Sequence, residues 1–334
     1  MVLELFTVYS IKMNKNYWKD KIVAVTGGFG FIGSHFIEEL ANSGAIVKCI
    51  YNHENSNLEY LESLGKRIEF IHLDVLKTDN LFSACNNVNT LINCAAKDGN
   101  SEYKIKNAAL ILDTNIKIVS NILNCSLNNK ITNTVLISSA EIYPLTAISP
   151  IKENDDYTKS FDNLNSGYVL SKRYSEILGK MYKKQYGLNV FLPRPTNTYG
   201  PRDRFDIVNR VIPMLIKKIM NQECIEIWGD GTQERSFIYV KDLVWGILTM
   251  IEEGKHNELN ISSNESISIN KLTSLISNII GKKATIHFNL TKPAGMKKRT
   301  LDITEFKSII DFELKNIENG LTETINWYRE KLII

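Results

Sequence analysis

The chain has 334 residues, with 40 Lys and Arg against 37 Asp and Glu, a formal net charge of +3. Hydrophobic residues make up 43% and charged ones 23%, which excludes a disordered or fibrous chain. The near balance of charge gives no support for a nucleic-acid or anionic-membrane role, and no apolar run reaches the ~20 residues that span a bilayer.

Residues 1–19 read as an extension in which Met13 is a candidate start. The stretch 2–11 is mildly apolar, but Glu4 interrupts it and no basic residue or small-residue cleavage site frames it. It makes a poor signal peptide, and the expectation is a cytoplasmic protein. The five cysteines (Cys49, Cys85, Cys94, Cys125 and Cys224) are odd in number and lack a Cys-x-x-Cys pair. They read as apolar fillers in a reducing compartment, and no metal site is expected.

KIVAVT (21–26) reads as a buried strand. A glycine-rich turn follows, then an apolar stripe of Ile32, Phe36, Ile37 and Leu40 at helical spacing, with Gly44 where the helix should stop. Further buried strands are expected at 45–51, 68–75, 90–96, 134–140 and 189–195, with the clearest helices near 105–126 and 167–186. This alternation predicts an α/β fold of Rossmann type, a doubly wound parallel sheet. Beyond about 195 the regularity decays into loops carrying Pro201, Gly229, Gly231 and Pro293, and a closing helix near 320–331 bears Leu321, Ile325 and Tyr328 on one face. The expected division is a dinucleotide-binding domain over 20–195, to which 234–262 returns. A smaller α/β substrate lobe takes 196–233 and 263–334. No internal repeat is present.

Three motifs carry chemistry. In Thr26-Gly27-Gly28-Phe29-Gly30-Phe31-Ile32-Gly33, Gly27, Gly30 and Gly33 have G-x-x-G-x-x-G spacing between a strand and a helix. That is what a tight turn needs when it must approach a pyrophosphate and aim a helix N-terminus at it. The second strand ends Tyr51-Asn52-His53-Glu54, with no acid at the position that reads the adenosine ribose and Glu54 a few residues late. A 2′-phosphate is then not repelled, yet no arginine stands there to clamp it. The cofactor expectation is NADP or NAD, with NADP slightly favoured. The third motif is Tyr168-Val-Leu-Ser-Lys172, with Ser138 and Ser139 at an earlier strand end. Residues i and i+4 share a helix face, so Lys172 is expected beneath Tyr168, favouring a phenolate that exchanges a proton with a substrate hydroxyl held by Ser139.

These residues resemble the extended short-chain dehydrogenases/reductases over about residues 20–331. The likeness lies in TGGFGFIG, Asp74-Val75, NCAA (93–96), Asn115, SSAEIYP (138–144) and YVLSK, and continues in RPTNTYGPRDRF, WGDGTQERSFIYVKDLV and KPAGMKKRTLD. Within that family the chain is similar to the nucleotide-sugar epimerases, dehydratases and reductases, and AAKDG and the KPAGMKKRTLD tail resemble the GDP-L-fucose synthase-like members. The resemblance implies cofactor contacts at Gly27, Gly30, Phe31, Ile32, Gly33, Asn52, Asp74, Val75, Ala95, Ala96, Lys97, Asn115, Tyr168, Lys172 and Pro195. It implies catalysis by Ser139, Tyr168 and Lys172, with Glu141 as a further catalytic candidate. It also implies a nucleotide-diphospho-sugar, GDP-linked by preference, held by Ser139, Asn197, Arg204, Arg235 and Arg299, where guanidinium forks suit a diphosphate. A homodimer through the helices near 105–126 and 167–186 is implied as well.

The chain departs from the fucose synthases where their epimerising cysteine and histidine would stand, with Glu141 and Asp206 in those places. Glu141 sits where sugar 4,6-dehydratases carry a glutamate, though Ala140 replaces the usual polar partner. Three outcomes of one C4 redox chemistry stay open: 4-epimerase, keto-sugar reductase and 4,6-dehydratase. A steroid or flavonoid alcohol as substrate fits the basic second lobe poorly. A non-catalytic NAD(P)-binding sensor would not be expected to keep both Tyr168 and Lys172.

Overall fold

The computed structural model describes residues 15–53, 57–65, 67–158, 165–203, 210–292 and 296–332. The expectations placed on residues 1–12, Met13, Glu54, Arg204, Asp206 and Pro293 lie outside the described residues.

Seven parallel strands form the main sheet: β1 (Ile22–Thr26), β2 (Ile46–Tyr51), β3 (Ile68–His72), β4 (Thr90–Asn93), β5 (Asn133–Leu136), β6 (Asn189–Pro195) and a late-returning strand, Glu258–Ile261. Their order is Glu258–Ile261, β6, β5, β4, β1, β2, β3. The order reverses direction between β1 and β4, which opens a crevice at their carboxyl ends.

The central strands β1, β4, β5 and β6 are almost wholly buried, so helices must cover both sides of the sheet. On one face Phe36, Ile37 and Leu40 of the helix Phe31–Asn42 pack with Val244, Ile247 and Leu248 of the helix Val240–Glu253. On the other, Ile118, Val119, Ile122 and Leu123 of the helix Ala108–Asn128 cover Leu136 and Val190. The helix Gly167–Tyr186 lies beside it. The approach there is so close that a Cβ on Gly167 would fall 1.9 Å from the carbonyl oxygen of Ala108.

The second lobe carries β7 (Asn197–Tyr199), β8 (Cys224–Trp228), β9 (Glu234–Tyr239), β11 (Ser266–Ser268), β12 (Thr285–Asn289) and β13 (Lys298–Arg299), while β10 (Glu258–Ile261) is the strand that rejoins the main sheet. β9 is flanked by β11, β13 and β7, and β8 pairs with β12. Ile212, Leu215, Ile216, Leu272, Ile276, Leu321, Ile325 and Tyr328 form its core. Among the described residues no helix is long and apolar enough to cross a membrane, and no group of three or more His, Cys, Asp or Glu could hold a metal ion.

The predicted strands extend less far than their apolar runs. β3 stops at His72 and β4 at Asn93, because the residues that follow turn off the sheet to line or support the crevice. The helix expected near 105–126 is two, Ser101–Lys106 and Ala108–Asn128, with Asn107 at the junction.

Candidate active site

The crevice at the switch point opens into a cleft of about 1170 Å³ running from the glycine turn to the second lobe. It brings together Gly27, Gly30, Phe31, Ile32, Gly33, Ala95, Ala96, Ser139, Glu141, Tyr168, Lys172, Pro195, Asn197, Arg235 and Arg299. Asn52, Asp74, Val75, Lys97 and Asn115 do not line it.

The glycine turn has the geometry a pyrophosphate requires. Gly27 takes φ +65°, and a Cβ there would sit 2.9 Å from Ala95 N. On Gly33 a Cβ would come within 2.3 Å of Gly27 O. Gly30 caps the helix Phe31–Asn42 without any side-chain partner, which leaves amide donors directed at the crevice. Thr26 Oγ1 donates to Asn93 Oδ1 at 2.6 Å, tying the ends of β1 and β4 together. This cradle fits a nicotinamide dinucleotide: the backbone comes close enough for phosphate oxygens, and side chains there would block it.

Asn115 has a supporting position. Its side chain clamps Lys97 on both sides, accepting from Lys97 N at 2.7 Å and donating to Lys97 O at 3.0 Å. It thereby shapes the loop after β4. Asp74 Oδ1 accepts from Leu76 N in a turn beyond β3, and Val75 is buried with its carbonyl bound by Asn121. Asn52 is exposed, and His72 donates to its carbonyl.

At the centre, Ser139 Oγ hydrogen-bonds Tyr168, which pulls the phenol toward ionisation. It also accepts from Glu141 N at 3.1 Å. Its neighbour Ser138 also lines the cleft, but its hydroxyl donates to buried Glu176 at 2.5 Å.

The expected Lys172–Tyr168 relation takes a different form. Lys172 Nζ donates to Ile137 O at 2.6 Å and lies 5.7 Å from the Tyr168 ring centre. The Tyr168 phenol is held well above its ordinary value, first by burial and then by the Asp98 and Glu141 carboxylates, with Ser139 and Arg210 pulling the other way. Burial lowers Lys172, and Asp98, Cys94 and Glu141 oppose that.

Asp98, Lys104 and Arg210 were missed by reasoning from sequence. Asp98 lies in the quoted AAKDG segment, but nothing in its spacing announced the lysine that joins it. Lys104 comes from the short helix Ser101–Lys106 and pairs with Asp98 at 3.1 Å and Glu141 at 3.7 Å. At the far end, Arg235 on β9 and Arg299 on β13 are register partners on parallel strands. Burial and the charge of Arg299 both lower Arg235, as expected for two cations side by side. Two forks so placed can share a dianionic group.

The family model described as "NAD dependent epimerase/dehydratase family" matches residues 23–262. The chain belongs to the NAD dependent epimerase/dehydratase family. It is similar to a dTDP-4-dehydro-6-deoxy-D-allose reductase from Streptomyces sp, 38% identical over 95% of this chain and 99% of the relative. It is also similar to the GDP-L-fucose synthase of Sinorhizobium fredii, 28% identical over 91% of this chain and 94% of that one. Among solved structures, a UDP-N-acetylglucosamine 4-epimerase from Methanobrevibacter ruminantium superposes with TM-score 0.84 and 28% identity, over 94% of this chain and 99% of that one. Like other members, this protein is an NAD(P)-dependent nucleotide-sugar epimerase/reductase. The preference for GDP drawn from the tail is not carried by these relatives, whose names span dTDP-, GDP- and UDP-sugars.

Proposed function

We propose that this chain reduces the C4 carbonyl of a nucleotide-diphospho-4-keto-6-deoxysugar, with dTDP as the nucleotide and NADPH as the reductant. The observation that carries this reading is the cleft that brings Ser139, Tyr168 and Lys172 beside the glycine turn at one end and the paired Arg235 and Arg299 at the other. A carbonyl oxygen that receives hydride needs a proton donor, and Tyr168 beside Ser139 in the cleft can supply it. The 38% identity to a dTDP-keto-sugar reductase supports the same direction and the same nucleotide.

The nicotinamide dinucleotide supplies the hydride that C4 accepts. The chain's own residues do the rest. Ser139 holds the C4 oxygen, and Tyr168 breaks its O–H bond to give that oxygen a proton, regaining one from solvent afterwards. Lys172 braces the end of β5 through Ile137 O. Asn197, Arg235 and Arg299 hold the sugar diphosphate. Asn52 and His53, exposed at the end of β2 where a carboxylate would read the ribose, support a 2′-phosphate. Glu141 is not assigned the dehydratase role, since it pairs with Lys104 and Ala140 beside it is buried and apolar.

The test is NADPH oxidation with dTDP-4-keto-6-deoxyglucose and its GDP counterpart. Tyr168→Phe should lower kcat at least about 100-fold while leaving dinucleotide affinity unchanged. Turnover confined to 4-hydroxy sugars without added reductant would replace this reading with a 4-epimerase.

A further inference from the structure

The cation nearest the Tyr168 ring is not the one four residues along its helix. Lys104 Nζ lies 3.7 Å from the ring centre, against 5.7 Å for Lys172. Its position is built rather than incidental. Asn100 caps the helix Ser101–Lys106 by accepting from Tyr103 N, and a Cβ on Gly99 would fall 2.4 Å from the Tyr103 ring, so the loop closes tightly on that helix. Lys104 itself is largely withdrawn from solvent, with a side chain 21% exposed. It spans two carboxylates from different elements, Asp98 after β4 and Glu141 after β5.

We propose that Lys104 is a positioning residue for the reduction: its ammonium, seated on the Tyr168 ring face and ion-paired with Asp98 and Glu141, offsets part of their negative charge and eases transfer of the phenol's proton to the substrate oxygen. The inference rests on Tyr168 being the proton donor named above.

The charge inventory around the phenol makes the sign clear. Asp98 and Glu141 oppose ionisation, Arg210 favours it, and Ser139 donates to the ionised oxygen. Lys172 lies farther from the ring, at 5.7 Å, and its ammonium donates to Ile137 O. Arg210 is shared with Asp203 at 2.5 Å and reaches Asp98 only at 4.0 Å. Lys104 is thus the cation that contacts the ring and both acids. Removing it strips a favourable cation–aromatic contact and leaves the Asp98 and Glu141 charges less compensated beside the phenol.

The direct test places 3,5-difluorotyrosine at position 168, whose fluorines bring the phenol's titration into an accessible range, and follows it by fluorine NMR. Lys104→Met should raise the midpoint by about one pH unit, Lys104→Arg should restore it, and Asp98→Asn should lower it. In the enzyme with its natural tyrosine, the pH profile of kcat for Lys104→Met should move the same way, with KM for the dinucleotide unchanged. An unmoved midpoint in Lys104→Met overturns the inference, as does a shift that arginine at that position fails to reverse. If Tyr168→Phe keeps full turnover while the Lys104→Met midpoint still moves, the proton-donor reading fails and the coupling of Lys104 to the phenol survives.

Discussion

Glu176→Gln tests the support beneath the active site. Glu176 and Arg194 are both fully buried and meet in a bidentate pair, Nε to Oε1 at 2.9 Å and Nη2 to Oε2 at 2.7 Å. The guanidinium also reaches Glu258 at 2.8 Å, the carbonyl of Glu153 at 2.7 Å and the Tyr143 hydroxyl at 3.1 Å. These contacts join the helix Gly167–Tyr186, β6, β10 and the segment after β5 through one side chain. Breaking a buried pair by removing one partner costs about 3–5 kcal/mol. Arg194 keeps Glu258 after the substitution, so the low end, about 3 kcal/mol, is expected. At about 2.1 cal/mol/K per residue, a 334-residue chain melts with about 0.7 kcal/mol/K of entropy, and Tm should fall by about 4 °C. Glu258→Gln, where the carboxylate side chain is 32% exposed, should cost about 1 kcal/mol or less. Calorimetry of both variants decides. A Glu176→Gln protein melting with wild type, or losing no more than Glu258→Gln, refutes the claim that this pair holds the elements together.

Gly33→Ala should abolish dinucleotide binding measured by calorimetric titration while leaving the fold intact by circular dichroism, because its methyl would fall 2.3 Å from Gly27 O and push the turn open. Asp242 gives a pH signature. Burial pushes its carboxyl up to about 7, against the Lys315 amide that donates to it at 2.7 Å. The folded state then holds a proton that the unfolded chain releases near ~3.9, so stability should fall by at most about 4 kcal/mol as pH climbs from about 4 to about 7. Denaturant titrations should show that stability at pH 7 relative to pH 4 is lower in wild type than in Asp242→Asn, the difference between the two proteins being the contribution of Asp242.

Much of the cofactor half was legible because its chemistry is written in contiguous residues. The turn at Gly27 to Gly33 and the strand–helix alternation around it constrain the backbone locally, and Tyr168 and Ser139 lie on elements that the apolar pattern located. The Asp98–Lys104–Glu141 cluster was not legible. Its members come from three elements, and Lys104 reads in sequence as one more solvated charge on a polar stretch. Arg194 was hidden differently, inside NVFLPRP, where the apolar neighbours announce a buried strand and nothing announces that its charge is buried too. Arg235 and Arg299 were visible as basic residues, but their adjacency depends on β9 and β13 pairing in parallel across a long separation in the chain.

The polypeptide is stitched through the molecule rather than divided along it. It leaves the sheet after β6, builds β7, β8 and β9, re-enters as β10, and departs again after Ile261. Asn260 on that returning strand donates to the carbonyls of Ile151 and Asp302 at 3.0 Å each, fastening sheet to lobe. A fragment ending near residue 195 would therefore expose the bare backbone edge of β6, an invitation to aggregate. Exchanging sugar specificity between relatives by grafting calls for junctions on both sides of β10, so that the recipient keeps its own seventh strand while accepting a foreign lobe in two pieces.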